Sequence, residues 1–189
     1  MCKNCLGFRY FALELCAASL DQMFLDANHS RKYRGPKLPH YITVFSQLAS
    51  GLEYIHSNNL IHGDIKPENV LISVDSTSQV VTMKWADFGL SRCVNERGTF
   101  TMNSGIKGTR NWYAPEIMKL ISQFQQFEKP LGTVKSDVFA QGLVFAFLLL
   151  DGHHLYGTNE LEVCINIAAN NPVNISSKFI KNKLIKTSQ

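Results

Sequence analysis

The most informative segment of this 189-residue chain reads IHGDIKPENVLI, residues 61–72. It carries a carboxylate, an amine and an amide at close spacing in Asp64, Lys66 and Asn69. Its last three residues, Val70-Leu71-Ile72, form an apolar run that predicts a short strand. The segment is therefore a polar loop that runs into a predicted strand.

Two periodic patterns lie on either side of this loop. Before it, five apolar residues recur every three or four positions and predict one buried helical face of about four turns: Tyr41, Phe45, Leu48, Leu52 and Ile55. After it, Val81, Met83 and Trp85 occupy every second position, which predicts a strand that pairs with residues 70–72 as a hairpin. These patterns predict a mainly α-helical fold with a small β-hairpin.

The other predicted elements are a strand at residues 9–13, a short helix at 19–26, and helices at 115–120, 134–150 and 159–169. Residues 27–39 and 89–111 are rich in loop-forming residues, so we expect irregular structure there. Irregular segments as long as the second are usually functional or disordered.

Composition limits the class of protein. Apolar residues make up 45% and charged residues 18% of the chain, which is typical of a globular domain. The net charge of +4 is small and spread along the chain, so it does not favour nucleic acid or an anionic membrane as a partner. The apolar run at 138–150 would make a helix of roughly 20 Å, shorter than the ~30 Å hydrocarbon core of a bilayer. We therefore interpret it as a buried core helix.

The five cysteines indicate a reducing compartment. Their number is odd and most are isolated in the sequence, which argues against a secreted disulfide framework. Cys2-x-x-Cys5 lacks the second ligand pair that a structural zinc site needs, so we treat this spacing as chance.

Three short motifs follow the loop in a fixed order. They are Asp87-Phe88-Gly89, eighteen residues after Asn69, then Gly108-Thr109, then Ala114-Pro115-Glu116. Taken singly, Asp64 would be an ordinary loop carboxylate and Asp87 a turn-forming residue. Their order and spacing together are far more specific than any one of them.

Through nearly its whole length the sequence resembles a eukaryotic protein kinase. The resemblance implies that Asp64 is the carboxylate that accepts the proton of the substrate hydroxyl, and that Lys66 neutralises charge on the γ-phosphate of ATP. Thr109 resembles the activation-segment threonine that contacts both of these residues. Asn69 and Asp87 would supply the oxygen ligands that hold Mg²⁺ against the phosphates.

A closer resemblance is to the endoplasmic-reticulum stress sensors that join a kinase to a ribonuclease, the inositol-requiring enzyme family. It rests on residues 10–20, 60–73, 87–91 and 152–157. Residues 10–20 are similar to the kinase hinge, where Cys16 would offer its backbone and Glu14 its carbonyl to adenine. The resemblance implies a parent protein in the endoplasmic reticulum membrane, with a cytosolic kinase domain and a homodimer.

Several other residues are expected to be structural. His62 is expected to pack and hydrogen-bond, and Glu116 to pair with an arginine of a later helix. Asp137 resembles the buried aspartate that braces the catalytic loop, since a buried carboxylate needs donors. Trp112 and Tyr113 form either the wall of the substrate-docking loop or plain core packing.

The sequence also departs from the kinase pattern. Gly63 replaces the arginine that usually precedes the catalytic aspartate and binds a phosphate on the activation segment, so that contact is lost. A glycine-rich loop, the small-lobe lysine and the later helices are not found. We therefore expect an incomplete large lobe: residues 1–18 as the last small-lobe strand and hinge, and 19–189 as a partial large lobe. The catalytic loop would be 62–69 and the activation segment 87–116.

The predicted function is a serine/threonine protein kinase of the unfolded-protein-response type, which uses ATP and Mg²⁺ to phosphorylate proteins or itself. We expect the 189-residue chain alone to be inactive, prone to aggregation, cytoplasmic, and without a membrane segment or direct nucleic-acid binding. The alternative is an inactive kinase-like module that binds nucleotide or a partner. A basic RNA-binding protein ranks third, because no aromatic–basic interleaving supports it.

Overall fold

The computed structural model describes residues 2–5, 8–75, 80–101, 107–122 and 131–175. In chain order its strands and helices are β1 (Cys2–Cys5), β2 (Phe8–Phe11), β3 (Ala18–Ser19), α1 (Tyr41–Ser57), β4 (Leu60–Ile61), β5 (Val70–Val74), β6 (Val81–Trp85), β7 (Arg92–Cys93), β8 (Thr99–Thr101), α2 (Pro115–Ser122), β9 (Leu131–Thr133), α3 (Lys135–Leu149) and α4 (Glu160–Ala168). Short 3-10 turns lie at Leu20–Phe24, Pro67–Asn69, Phe88–Leu90 and Arg110–Trp112. The predicted mainly helical fold with a small hairpin is confirmed.

Helix α1 forms where the apolar periodicity predicted it. His40 caps its first turn, because the ring Nδ1 accepts the backbone N–H of Ile42 at 3.2 Å. The helix buries one face, formed by Val44, Leu48, Leu52 and Ile55. It ends at Ser57, and Asn59 then takes a left-handed conformation with φ of 55°, which asparagine tolerates better than most residues. The chain thereby turns into β4 and the loop at 62–69 that follows it.

The predicted hairpin is strands β5 and β6, paired antiparallel with Val70 opposite Trp85 and Val74 opposite Val81. Strand β3 extends it to three strands by pairing with β5. Val81, Met83 and Trp85 are all buried, and the indole N–H of Trp85 donates to the carbonyl of Leu48 at 2.9 Å. The sheet is therefore held on α1 through its apolar face.

Helix α3 fills the centre of the molecule, as the apolar run predicted. Ala140, Val144 and Leu148 pack into the same core as α1 and the hairpin, and the rings of Phe45 and Phe145 stack at 4.2 Å. Leu143 faces a second core cluster with residues of α4. Because α3 has apolar contacts on opposite sides, it is a rigid support for the groups at its first turn.

The predicted irregular segment 89–111 is only partly irregular. Strand β7 pairs with β4, with Ile61 opposite Arg92, and β8 pairs with β9, with Phe100 opposite Gly132. The prediction was wrong there because strands of two or three residues carry no periodic signal and their partners are distant in sequence. Residues 102–106 and 176–189 lie outside the described parts of the chain.

Two further expectations are corrected or refined. Residues 19–26 were predicted as a short helix and instead form the 3-10 turn Leu20–Phe24. The hydroxyl of Ser19 donates to the carboxylate of Asp21 and does not cap that turn. Strand β2 overlaps the strand predicted at 9–13 but ends at Phe11, and β1 pairs with it.

The apolar side chains at the end of β2 and just after it are strongly exposed: Phe11 at 71%, Leu13 at 87% and Leu15 at 96%. Among the described residues, no helix combines the length and the apolar character needed to cross a bilayer.

Candidate active site

Asp137, in the first turn of α3, fastens the catalytic loop to the core. Its Oδ2 accepts the backbone N–H of His62 at 2.8 Å, and its Oδ1 accepts that of Gly63 at 3.0 Å. The His56 Nε2, on α1, lies 3.0 Å from Oδ2 as a third partner. Asp137 is only 3% exposed, and a buried carboxylate is stable only with such donors. Asp137 therefore connects α1, α3 and the loop.

The side chain of His62, the first residue of this loop, is completely buried. The backbone N–H of Asp64 donates to its Nδ1 at 3.3 Å, so Nε2 carries the hydrogen and donates to the carbonyl of Ala86 at 3.0 Å. Burial lowers the pKa of His62, although the nearby Asp137 opposes this shift. The imidazole is therefore held neutral. Its two hydrogen bonds connect Asp64 with Ala86, the residue before Asp87.

Four of the predicted site residues form one connected group. The ammonium of Lys66 lies 2.7 Å from Asp64 Oδ2 and donates to the hydroxyl of Thr109 at 2.9 Å. That hydroxyl donates to Asp64 Oδ1 at 3.0 Å. The amide of Asn69 donates to the backbone carbonyl of Asp64 at 2.8 Å and to its Oδ2 at 3.1 Å. The Asp64 carboxylate is thus fixed from three sides.

Asn69 and Asp87 lie on adjoining backbone segments. The N–H of Ala86 donates to the carbonyl of Asn69 at 2.9 Å, which brings the neighbouring Asp87 to the catalytic loop. Asp87 has a left-handed backbone with φ of 62°, and its Oδ1 accepts the N–H of Gly89 at 3.2 Å. Because Nδ2 of Asn69 is the donor to Asp64, its Oδ1 is the atom that would bind a metal ion.

The oxygen donors of Asn69 and Asp87 fit Mg²⁺ better than a metal ion that protein side chains alone surround. Within the described residues, no group of three or more His, Cys, Asp or Glu side chains could hold a metal ion. Mg²⁺ is usually bound through one or two protein oxygens, together with water and substrate phosphates. One carboxylate from Asp87 and one amide oxygen from Asn69 meet that requirement.

Glu14 and Cys16 are held at the hairpin, and no described contact joins them to the Asp64 group. The Glu14 carboxylate binds the ammonium of Lys84 at 2.6 and 2.9 Å and the hydroxyl of Ser73. The hydrogen bond from Lys84, followed by that from Ser73, lowers the pKa of Glu14. Cys16 is partly buried, and burial raises the pKa of its thiol. The anchoring role of Lys84 and Ser73 was not predicted.

The conformation at Gly63 explains the missing arginine. Gly63 has φ of +81°, and a Cβ there would lie 2.9 Å from the carbonyl oxygen of Leu90. Both the backbone angle and the close approach favour glycine. The neighbouring hydroxyl of Ser91 donates to the backbone carbonyl of His62 at 3.1 Å, so this side chain fastens the segment after Asp87 to the loop.

Trp112 and Tyr113, for which two interpretations stayed open, differ in their surroundings. The Trp112 ring makes edge contacts with His154 at 4.9 Å and Phe147 at 6.0 Å, which is core packing, and Trp112 also lines the cavity next to Asp64 and Thr109. Tyr113 lines a cavity together with Asp64 and Thr109, and its hydroxyl donates to the carbonyl of Gly108 at 3.0 Å. Glu116 is exposed, and no ion pair joins it to another described residue.

His154 packs against Trp112 in the segment that follows Thr109. Its Nδ1 accepts the backbone N–H of Tyr156 at 3.1 Å, and its ring contacts Trp112. Burial lowers the pKa of His154 to about 4. The neutral ring is therefore the form that the fold requires.

Comparison with known proteins identifies the family to which this arrangement belongs. A family model described as the protein kinase domain matches residues 7–187. The chain is 36% identical over 151 residues to the human serine/threonine-protein kinase/endoribonuclease IRE2, which covers 79% of this chain. It is 34% identical over 160 residues to the serine/threonine-protein kinase/endoribonuclease ire-1 of Caenorhabditis elegans, again over 79% of this chain. The chain spans 15% and 14% of the lengths of these two relatives.

The fold has a counterpart among solved structures. The crystal structure of the yeast RNA Pol II CTD kinase CTDK-1 complex aligns with a TM-score of 0.62 at 23% sequence identity. The alignment covers 87% of this chain and 48% of that chain. At this identity the likeness shows the fold, and it confirms the kinase-like architecture that the sequence predicted.

The depressed pKa of His154 predicts acid lability. Below pH 6.5 the unfolded chain binds a proton that the folded chain excludes until about pH 4, so the free energy of unfolding falls through that interval. We expect His154 to account for about 2–3 kcal/mol of this loss. In His154→Asn the side-chain oxygen replaces Nδ1 as acceptor but cannot titrate, so the pH dependence should flatten. Urea unfolding across that interval measures it, and equal slopes in both proteins would refute it.

Proposed function

Because this chain belongs to the protein kinase domain family, we propose that its Asp64 site transfers the γ-phosphate of ATP to serine or threonine hydroxyls of proteins. The observation that carries the proposal is the triangle formed by Asp64, Lys66 and Thr109, with edges of 2.7, 2.9 and 3.0 Å. A carboxylate fixed beside a cation and a hydroxyl is suited to orient an acceptor hydroxyl and to take its proton.

Phosphate transfer at this site forms one bond and breaks one bond. The acceptor oxygen attacks the γ-phosphorus, the bond from that phosphorus to the β–γ bridging oxygen breaks, and ADP leaves. The acceptor proton passes to Asp64, which Asn69 and Thr109 hold in one orientation. Lys66 already lies at Asp64, so its ammonium is close enough to offset negative charge on the transferred group.

The metal site proposed here consists of Asn69 and Asp87. Bound Mg²⁺ would neutralise phosphate charge during transfer. Asp87 is held for that role by its left-handed backbone and the N–H of Gly89. The backbone hydrogen bond from Ala86 to Asn69 fixes the distance between Asp87 and the loop.

We place adenine against the hinge, within residues 1–18, with the backbones of Glu14 and Cys16 as its partners. The ion pair with Lys84 and the hydrogen bond with Ser73 draw the Glu14 side chain onto the hairpin. This leaves the hinge backbone for nucleotide, while residues 19–189 supply the catalytic loop and the activation segment.

The biological role proposed here is that of an unfolded-protein-response kinase that acts on proteins or on a second copy of itself. Its support is the identity of 36% and 34% to two serine/threonine-protein kinase/endoribonucleases. On this proposal the kinase site faces the cytosol and the full-length gene product is anchored in the endoplasmic reticulum membrane.

The first test replaces the proton acceptor. In the full-length gene product, Asp64→Asn should keep the fold and lower kcat for phosphate transfer about 10²- to 10⁴-fold, because the amide cannot accept the proton. The matched control is Asp26→Asn, since Asp26 is exposed on a loop and should leave the rate unchanged. The assay compares serine, threonine and tyrosine acceptor peptides. Equal rates in Asp64→Asn, transfer to tyrosine alone, or nucleotide binding without transfer would contradict the proposal.

The second test separates metal from nucleoside. Asp87→Ala removes the carboxylate ligand, so binding of Mg²⁺–ATP to the full-length gene product should fall strongly while adenosine binding stays nearly unchanged. Isothermal titration with each compound measures both affinities. If the two affinities fall together, Asp87 serves folding and the assigned metal site is wrong.

A further inference from the structure

The surface next to Asp64 carries two exposed cations. Lys107 precedes Thr109 by two residues and Arg110 follows it directly. The hydroxyl of Thr109 lies 3.0 Å from Asp64, and Lys107 lines the same cavity as Asp64 and Thr109. The positive charges of Lys107 and Arg110 are therefore within two residues of a group that contacts Asp64.

Arg110 is held in place but keeps its capacity to bind a carboxylate. It begins the 3-10 turn Arg110–Trp112, which packs against α4. Its Nη1 lies 3.9 Å from Oε1 of Glu160, and the two side chains are 68% and 58% exposed. An exposed ion pair at this distance is screened by water and contributes little. The guanidinium therefore has donors left for a planar anion.

Tyr113 lines the cavity next to Asp64, and its pKa responds to the same charged groups. Burial raises the pKa of Tyr113, Arg110 lowers it, and Asp64 and Glu160 raise it. All three charged residues therefore act on one hydroxyl. Of the two carboxylates, Asp64 is engaged with Lys66, Asn69 and Thr109, which leaves Glu160 as the competitor for Arg110.

We propose that Arg110 is a specificity-determining residue that selects protein segments with an acidic residue next to the acceptor serine or threonine. The proposal rests on the proposed kinase function and names its substrate class. The guanidinium binds the carboxylate of the incoming segment in place of Glu160, and Lys107 adds a second positive charge beside it.

The experiment compares serine peptides that differ at one position. Glutamate, glutamine or lysine is placed in turn at each of the two positions before and after the serine, and kcat/KM is measured with the full-length gene product. We expect a preference for glutamate over glutamine of about three- to tenfold at one or more positions, since exposed charge pairs contribute about 1 kcal/mol. Higher salt should reduce this preference.

Three variants assign the preference to its source. Arg110→Gln should abolish it and Arg110→Glu should reverse it in favour of lysine. Glu160→Gln, which removes the competing carboxylate, should increase it. Lys37→Ala is the matched control, because Lys37 is an exposed cation on the 27–39 loop, and it should change nothing. Melting temperatures check that each variant is folded.

The outcomes distinguish failure of the specificity proposal from failure of the proposed kinase function. Transfer without an acidic preference, or with a preference that survives in both Arg110 variants, overturns the specificity proposal and leaves the kinase function standing. If Arg110 variants do not fold, a Glu160→Gln variant with no increased preference overturns it equally. Absence of transfer to every peptide overturns the kinase function and the specificity together.

Discussion

The whole site depends on one buried carboxylate. Asp137 accepts two backbone N–H groups of the catalytic loop and contacts the ring of His56, so α3, α1 and the loop meet at a single side chain. A buried carboxylate that lost its partners would cost about 3–5 kcal/mol. This cost keeps the loop in one conformation, and the conformation in turn fixes Asp64, the residue that follows Gly63.

Hydrogen bonds from the loop that Asp137 holds then place the other groups of the site. The His62 ring donates to the backbone carbonyl of Ala86, so it fixes Ala86, and therefore Asp87, relative to the loop. Asn69 ties the end of the loop back to Asp64, and Thr109 brings the activation segment to the same carboxylate. The left-handed Gly63 lets the loop approach Leu90 closely, which an arginine in its place could do only with strain. The activation segment is thereby joined to the loop without the arginine–phosphate contact usual in this family.

Much of this arrangement is predictable from sequence, for identifiable reasons. Helix α1 and strand β6 follow from periodic apolar patterns, and β5 and α3 follow from continuous apolar runs. Asp64, Lys66, Asn69 and Thr109 are found together because their motif spacing is specific. The partners His56 and Lys84 could not be predicted, since each contacts a residue 81 or 70 positions away and belongs to no motif. The pairing of β8 with β9 was missed for the same reason, because no local pattern encodes a contact between distant three-residue strands.

The most direct measurement is amide hydrogen exchange in an Asp137→Asn variant of the full-length gene product. An asparagine side chain has one acceptor oxygen and no charge, so the His62 and Gly63 N–H groups, which bind different oxygens of Asp137, cannot both keep their present acceptors. We predict that exchange at one or both of these amides is at least about tenfold faster, since a hydrogen bond to a charged group contributes about 1.5–3 kcal/mol. The amide of Met83, bound to Gln47, should keep its protection, as should every amide in Asp26→Asn. Unchanged exchange at both His62 and Gly63 would contradict the central role of Asp137.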